Sequence, residues 1–247
     1  HEAVLAARTI GLPCCFTDHS LFGFADTSSI LTNKLLKFTL SDVARVICVS
    51  HTSRENTVLR ASLGDPGRVH VIPNAIDAAA LQPGLLSDTG RLTVVVLSRL
   101  VYRKGIDLLV SAIPIICKLY PRVDFLIAGD GPKKIDLEQM RERHGLYSRV
   151  TLRGGVPPDK VRECLISGRV FLNCSLTEAF CIAIVEAAAC GLRVVSTAVG
   201  GVPEVLPPDI LALCKPDCVD LVEVLGSVIE LELAAMDADP DALLARM

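Results

Sequence analysis

From Thr93 onward the sequence repeats one arrangement: a short apolar run rich in β-branched residues, a polar loop, and a stretch of helical character. Six such runs follow one another: TVVVLS, VDFLIAGDG, RVTLRGG, VFLNCS, LRVVSTAVGG and ILALCK. Strands that are apolar throughout and alternate with helices indicate a parallel sheet that helices cover on both faces. The sequence therefore predicts a doubly wound, Rossmann-like α/β domain.

The first 80 or so residues show the same alternation less completely. Strands are predicted in PCCFTDHS, RVICVS and VHVIPNAID, and helices in HEAVLAARTIG, SILTNKLLKFTLSDV and TSRENTVLRASL. We interpret residues 1–78 as the C-terminal part of a second Rossmann-like domain and residues 79–233 as a complete one. A polar segment with Pro and Gly, about residues 76–91, is the predicted linker, and residues 234–247 stay unassigned.

Composition argues against nucleic-acid binding and against a membrane-spanning or secretory segment in this chain. The formal net charge is −3, and no basic run is interleaved with aromatic residues, so nucleic acid is not an expected partner. No uncharged run reaches the roughly 18 to 20 residues that span a membrane, and no signal peptide is recognisable. Because the chain begins at His1, within a predicted helix, we expect further protein upstream.

The ten cysteines do not form a disulfide or zinc pattern. Most stand singly in apolar runs, where a thiol behaves as a small buried hydrophobe. Cys214 and Cys218 lack the second Cys or His pair that a zinc site needs. We therefore expect reduced thiols and no metal.

Polar loops follow the predicted strands, at the edge where a parallel α/β sheet binds its ligands. Arg99, Arg103 and Lys104 follow the first strand of the second domain, and Gly129 and Gly131 follow the next. Lys at position 134 leaves the dinucleotide fingerprint incomplete, and no stretch matches a Walker A loop. These loops predict a diphosphate-bearing ligand held by cations and backbone amides.

Two glutamates occur in LTEAFCIAIVEAAACG, at Glu178 and Glu186. One predicted helix that includes both separates them by about 12 Å along its axis and by about 80° around it. An unpaired buried carboxylate is costly, and a vicinal diol can satisfy it. We interpret the pair as contacting the sugar and the ribose of a nucleotide-sugar. A structural ion pair of Glu186 with Arg193 or with another cation is the alternative.

The pair Glu178…Glu186, preceded by SRL…K, resembles the E-x7-E motif of retaining, metal-independent glycosyltransferases with two facing Rossmann-like domains (GT-B type, family 4). Seven segments are similar to the more specific family of catalytic subunits of phosphatidylinositol N-acetylglucosaminyltransferase: FTDHSLFGFAD, SSILTNKLL, ICVSHTSRENTVLRA, VIPNAID, SRLVYRKGIDLL, LTEAFCIAIVEAA and VVSTAVGGVPEVLP. The resemblance covers the chain up to about Cys214.

That resemblance implies a truncated N-terminal domain and transfer of N-acetylglucosamine from UDP-GlcNAc to phosphatidylinositol, the first step of GPI-anchor biosynthesis. It also implies retention of anomeric configuration and no metal or other cofactor. The expected setting is a multi-subunit complex on the cytoplasmic face of the endoplasmic reticulum membrane.

The resemblance also implies roles for individual residues. Expected at the reacting sugar and the diphosphate are His19, Glu178, Arg99 and Lys104. Expected around the donor are Arg99, Lys104, Gly129, Gly131, Glu178, Ala179, Phe180, Cys181, Ile182 and Glu186. His1 and Asn74 are expected on the acceptor side or in the cleft. Much of the wider class has glycine at the positions of Ala179 and Cys181, where this chain resembles the GPI-specific family.

Three alternatives stay open at this point. Arg99 and Lys104 are also explained as solvated loop cations, and His19 as an ordinary loop or core histidine. The same scaffold accommodates another nucleotide-sugar or a soluble acceptor. The chain is also compatible with a non-catalytic subunit that binds a nucleotide-sugar.

Overall fold

The computed structural model describes residues 2–23, 27–84 and 90–238, and these fall into two compact units. The first unit runs to Ala75 and also includes Glu178–Cys181 and Gly200–Val205. The second unit contains the other described residues from Ile76 onward. Two short segments from the second half of the sequence therefore pack with the first unit.

The first unit is a three-stranded parallel sheet with helices. Its elements in chain order are α1 Glu2–Thr9, β1 Cys15–Asp18, α2 Thr27–Leu40, β2 Arg45–Cys48, α3 His51–Ala61 and β3 Val69–Val71. The strands lie in the order β1-β2-β3. The core of this unit is formed by Leu36, Leu40, Val43, Val46, Cys48, Ala61 and Val69.

Helix α2 buries one side and exposes the other. Leu36 and Leu40, four residues apart, lie in the core, as the 3.6-residue period of a helix requires. The apolar residues exposed on α2 are Ile30, Leu31, Leu35 and Phe38. The exposed side of this helix is therefore unusually apolar for a surface helix.

The second unit is a six-stranded parallel sheet. Its strands are β4 Leu92–Leu97, β5 Val123–Ala128, β6 Val150–Gly154, β7 Val170–Asn173, β8 Arg193–Thr197 and β9 Leu211–Cys214. Its helices are α4 Ile106–Leu119, α5 Lys134–Arg143, α6 Val161–Leu165, α7 Ile182–Ala189 and α8 Cys218–Ala238. The strand order is β6-β5-β4-β7-β8-β9, so the chain reverses its direction of travel between β4 and β7. That order confirms the predicted doubly wound fold.

Burial explains why these sequences form these elements. Strand β7 is buried along its whole length, as a central strand covered on both faces must be. Helix α4 buries Ile106, Leu109, Ile113 and Ile116, a spacing of three and four residues that produces one apolar stripe. Both elements contribute to the core that holds the β4 and β7 ends in place.

Three predicted elements differ from the observed ones. The helix expected to contain both glutamates begins only at Ile182, so Glu178 lies four residues before it. The repeated strand–loop–helix arrangement predicts a helix at VPEVLP, after the fifth apolar run, but this segment forms only a single 3-10 turn, Val202–Glu204. Helix α8 continues to Ala238, into the region for which the sequence predicts no element, while residues 239–247 lie outside the described residues.

All ten cysteines are free thiols. Burial raises the pKa of Cys174 well above its usual value, and burial together with Asp220 and Asp217 raises the pKa of Cys214 to about 12. These thiols therefore act as apolar packing groups at neutral pH. Across the described ranges, no helix combines the length and the apolar character that a membrane crossing requires.

Candidate functional site

The second unit places two basic residues at the reversal point of its sheet. Arg99 follows β4 and is exposed, and Lys104 ends the short 3-10 turn Tyr102–Lys104. The amide of Leu176, which follows β7, donates a 2.9 Å hydrogen bond to the carbonyl of Arg103. The loops after these two neighbouring strands are thus tied together. In doubly wound sheets this point is where ligands bind.

Gly129 and Gly131, after β5, have φ angles of 144° and 153°, which disfavour any residue with a side chain. A Cβ atom at Gly129 would overlap the carbonyl oxygen of Ser98, and one at Gly131 that of Leu100. Close packing of the β5 loop on the β4 loop therefore explains both glycines. Their predicted contact with a donor stays a prediction.

Glu186 lies within α7 and is partly buried. Its carboxylate has no hydrogen bond or ion pair with any other residue that the structure describes. Burial alone raises the pKa of Glu186. The carboxylate therefore has an unmet demand for hydrogen-bond donors, as a group that binds a ligand hydroxyl would have.

The alternative explanation of Glu186, an ion pair with Arg193, is wrong. Arg193 Nε lies 3.3 Å from Glu232 Oε1, and Arg193 also donates to the carbonyl of Asp209 at 2.8 Å. Arg193, the first residue of β8, is thus paired with α8 and with the backbone just before β9, and not with Glu186.

A buried polar cluster that the sequence analysis missed lies at the carboxyl ends of β7 and β8. Asn173 Nδ2 donates to Ser196 Oγ at 2.8 Å, and Ser175 Oγ donates to Asn173 Oδ1 at 2.8 Å. Buried polar groups that satisfy one another fix the positions of the loops that follow them. Polar residues that end two apolar strands, in VFLNCS and VVST, were the available signal.

In the first unit, His19 follows β1 and is exposed, and Asn74 follows β3 and is half-buried. The loop that carries His19 is anchored beneath by Asp18. Asp18 Oδ1 accepts the amide of Ser20 at 2.9 Å, and Asp18 Oδ2 accepts Thr57 Oγ1 at 2.9 Å. His1 lies outside the described residues, so its predicted role has no structural counterpart here.

The segment that carries Glu178 is a loop of the first unit, which corrects the expectation that Glu178 begins a helix. Cys181 has a φ of 70°, a left-handed conformation that a right-handed helix cannot continue through. Ala179 and Phe180 are buried, and Ser50 Oγ donates to the carbonyl of Ala179 at 2.7 Å. Ile182, the first residue of α7, is exposed.

No group of three or more His, Cys, Asp and Glu side chains with the geometry of a metal site occurs within residues 2–23, 27–84 and 90–238. Cys214 and Cys218, whose spacing raises the question of zinc, are among the free thiols.

Solved structures with the same fold include glycosyltransferases. Anabaena Alr3699/HepE, solved with UDP-glucose, matches with a TM-score of 0.77 and 23% identity over 92% of this chain and 65% of that one. The pneumococcal O-GlcNAc transferase GtfA, solved with UDP and GlcNAc, matches with a TM-score of 0.72 and 20% identity over 96% of this chain and 49% of that one. The fold therefore defines the class: a Rossmann-like α/β glycosyltransferase fold of the predicted GT-B type.

The particular family follows from the sequence. Residues 77–238 match the family model described as glycosyl transferases group 1, and residues 1–80 match that of glycosyltransferase family 4. The chain belongs to the glycosyl transferases group 1 family.

Curated relatives are more specific in name. The chain is 60% identical over 230 residues to the phosphatidylinositol N-acetylglucosaminyltransferase gpi3 subunit of Schizosaccharomyces pombe, covering 93% of this chain and 50% of that protein. It is 56% identical to a Homo sapiens subunit of the same enzyme, covering 93% of this chain and 47% of the relative. The chain thus spans about half the length of the curated relatives that it matches. The resemblance noted in the sequence is confirmed.

Proposed function

We propose that this chain carries the donor-binding and catalytic groups of a retaining glycosyltransferase that moves N-acetylglucosamine from UDP-GlcNAc to phosphatidylinositol, the first step of GPI-anchor biosynthesis. Support comes from the names of relatives that are 46% to 60% identical over nearly all of the chain. Further support comes from the cations at the reversal point of the sheet and from the carboxylate of Glu186, which pairs with no residue in the described part of the chain.

The observation that carries the proposal is the partly buried carboxylate of Glu186, which pairs with no other described residue. A partly buried carboxylate without a partner destabilises the ligand-free protein, and a ligand diol removes that cost. One carboxylate accepts hydrogen bonds from both hydroxyls of a ribose 2′,3′-diol, which a UDP-sugar supplies. The sequence resemblance gives Glu186 this same role.

The proposed glycosyl transfer depends on stabilising the negative charge of the leaving diphosphate. The bond between the sugar C1 and the diphosphate oxygen breaks, and negative charge develops on the diphosphate. Arg99 and Lys104 stabilise that charge, as do backbone amides at the carboxyl edge of the sheet. The inositol hydroxyl attacks C1 from the face that the diphosphate leaves, and its proton passes to the leaving phosphate oxygen. Glu178 and His19 are assigned to the transferred sugar and the reacting carbon by resemblance, and no metal is assigned a role.

A lipid acceptor suits the exposed side of α2. At 100° per residue, Lys37, Ile30, Lys34, Phe38, Leu31 and Leu35 fall in that order on one continuous arc of about 160°. All six are exposed. Apolar side chains with lysines along one edge favour an anionic lipid surface. We place the phosphatidylinositol membrane on this side of the first unit.

The cellular setting belongs to the proposal as well. The curated relatives are named as subunits, so we propose that this chain works in a multi-subunit GlcNAc-transferase complex. The family resemblance of the sequence implies the cytoplasmic face of the endoplasmic reticulum membrane, which we adopt as the proposed location. UDP-GlcNAc and phosphatidylinositol are then its substrates.

Calorimetric titration of the chain with UDP-GlcNAc tests donor binding. ADP-glucose serves as the control donor and EDTA as the control for metal. Glu186→Ala should abolish measurable binding, whereas Glu223→Ala, which removes an exposed glutamate of α8, should not change it. Equal affinity of the wild-type protein for both donors, or an unchanged affinity in Glu186→Ala, would overturn the proposal.

A further inference from the structure

The two segments that join the first unit from the second half of the sequence both contact the start of α3. The carboxylate of Glu204 accepts hydrogen bonds from the amides of His51 at 2.6 Å and Thr52 at 2.9 Å. It also accepts one from Thr52 Oγ1 at 2.7 Å. Amides in the first turn of a helix have no partner inside the helix, and a carboxylate there also meets the positive end of the helix dipole. Glu204 therefore attaches the segment Gly200–Val205 to α3.

Ser50 attaches the second segment at the same place. Its side chain is the N-cap of α3, and Ser50 Oγ accepts the amide of Ser53 at 3.0 Å. The same hydroxyl donates to the carbonyl of Ala179 at 2.7 Å, and the residue is only 2% exposed. One hydroxyl thus caps the helix and holds the loop Glu178–Cys181.

Backbone contact joins the two segments to each other. The amide of Gly201 donates to the carbonyl of Glu178 at 2.9 Å. A Cβ atom at Gly200 would overlap the carbonyl oxygen of Glu178, and one at Gly201 would overlap that of Ala179. The two glycines of VGGVPE therefore permit this close approach. The carbonyls of Glu178 and Ala179 are both fixed, the first through Gly201 and the second by Ser50.

The surroundings of Glu204 favour the ionised form of its carboxylate. Burial acts to raise the pKa of Glu204, but the hydrogen bonds from Thr52 and His51 outweigh it and lower the pKa. Glu204 is thus ionised at neutral pH, when its hydrogen bonds to the helix amides are strongest.

We propose that Glu204 and Ser50 are positioning residues that fix the backbone of Glu178, and through it the direction of the Glu178 carboxylate toward the transferred sugar. This inference rests on the proposed function, which assigns Glu178 to that sugar. Neither residue is assigned a contact with substrate. The effect should be large, because misplacing a reacting group by about 1 Å can cost about 100-fold in rate.

Activity is measured in membranes that lack their own gpi3 subunit and in which this chain replaces the matching residues of the Schizosaccharomyces pombe protein. Glu204→Gln and Ser50→Ala should lower the turnover of UDP-GlcNAc by about 10- to 100-fold. Glu204→Ala should lower it further, since Gln keeps one acceptor oxygen. Glu55→Gln, which removes an exposed carboxylate from the same helix, is the matched control and should keep full turnover.

Binding separates positioning from general damage. UDP lacks the transferred sugar, so its dissociation constant should change by less than about twofold in Glu204→Gln, while the preference for UDP-GlcNAc over UDP is lost. Adding Glu204→Gln to Glu178→Gln should lower turnover no further, because both changes disable the same group. Additive losses, or a parallel loss of UDP affinity, would overturn the inference.

Amide hydrogen exchange tests the anchoring without any reaction. In the 247-residue chain, Glu204→Gln should accelerate exchange of the Gly201 amide and of residues 178–181 by at least about tenfold, and Glu55→Gln should not. If the wild-type chain binds UDP-GlcNAc but exchange in Glu204→Gln equals that of the wild-type chain, the positioning role alone is overturned. Failure of the wild-type chain to bind UDP-GlcNAc, with exchange accelerated as expected, overturns the proposed function and leaves the anchoring intact.

Discussion

Arg193 forms its ion pair with Glu232, at 3.3 Å between Nε and Oε1, and not with Glu186. This ion pair joins β8, which contains Arg193, to α8, which contains Glu232. Glu186 is therefore a partly buried carboxylate without Arg193 as a partner, and burial raises its pKa. A residue that lowers stability and pairs with none of the described residues is expected at a ligand site.

Replacing Glu186 should therefore separate stability from binding. We expect Glu186→Gln to increase the free energy of unfolding of the ligand-free chain by about 0.5 to 1 kcal/mol, because a neutral amide costs less to bury. The same variant should bind UDP-GlcNAc at least about tenfold more weakly. Urea unfolding and calorimetry measure the two effects, and a less stable variant with unchanged donor affinity would contradict the assignment.

The pH dependence of that gain has a definite sign. A carboxyl group whose pKa is raised on folding favours its protonated form in the folded state. Its stability contribution is complete below the unfolded pKa, about 4.3 for Glu, and is lost as the pH rises through the higher folded value. The advantage of Glu186→Gln over wild type should thus be absent near pH 4 and reach a plateau by about pH 7. Unfolding curves at several pH values test this, and a pH-independent difference would contradict it.

Lys104 should be essential for turnover. Removing a cation that stabilises the leaving diphosphate should lower kcat by about 100-fold or more in Lys104→Ala. Lys118→Ala, an exposed lysine at the end of α4, is the matched control and should keep full activity. Steady-state assays with UDP-GlcNAc and phosphatidylinositol measure the difference. Near-normal turnover in Lys104→Ala would remove the diphosphate assignment.

Much of this architecture could be predicted from local sequence. The apolar runs predict the strands of the second unit, because a strand covered on both faces leaves little choice of residue. The placement of Arg99 and Lys104 at a ligand-binding edge follows from their position after such a strand. The order of the strands was not readable, since pairing depends on contacts between distant segments.

The glutamate segment shows where local reasoning failed. Residues 176–191 have the composition of one helix because nearly all of them are small or apolar. Contacts of Ala179 with Ser50, 129 residues away in sequence, hold the first part as a loop instead. Tertiary hydrogen bonds and the left-handed Cys181 thus overrode helix propensity. Only the three-dimensional structure shows that Glu178–Cys181 packs with the first unit.

The buried network beneath the His19 loop should be costly to break. Arg60 NH1 lies 3.4 Å from Asp18 Oδ2, its Nε donates to Asn33 Oδ1 at 2.7 Å, and its guanidinium carbon lies 4.7 Å from the centre of the Phe22 ring. Arg60→Met should lower the free energy of unfolding by about 3 kcal/mol, because it leaves the Asp18 carboxylate buried without its cation.

A second substitution tests that explanation. Asp18→Asn added to Arg60→Met should recover part of the loss, since no buried charge then remains unpaired. Urea unfolding of the two single variants and the double variant measures the coupling. Strictly additive losses would mean that Arg60 stabilises the loop through packing on Phe22 and not through its charge.

The exposed side of α2 gives the test of a lipid acceptor surface. Leu31 is 63% exposed within the arc that also contains Lys34 and Phe38, so burial of its side chain in a lipid surface would contribute about 1.5 kcal/mol. We expect Leu31→Asn to weaken sedimentation of the chain with phosphatidylinositol-containing vesicles by about tenfold. Added salt should weaken the wild-type interaction as well, because lysine attraction to anionic lipid is screened.

Leu59→Asn is the matched control for this experiment. Leu59 is 67% exposed on α3 of the same unit, and its substitution changes overall polarity equally without touching the α2 arc. Its vesicle binding should equal that of the wild-type chain. If Leu31→Asn and Leu59→Asn reduce binding to the same extent, general hydrophobicity and not the α2 surface governs the interaction. Vesicles of phosphatidylcholine alone should bind the wild-type chain weakly, since they offer no negative surface for Lys34 and Lys37.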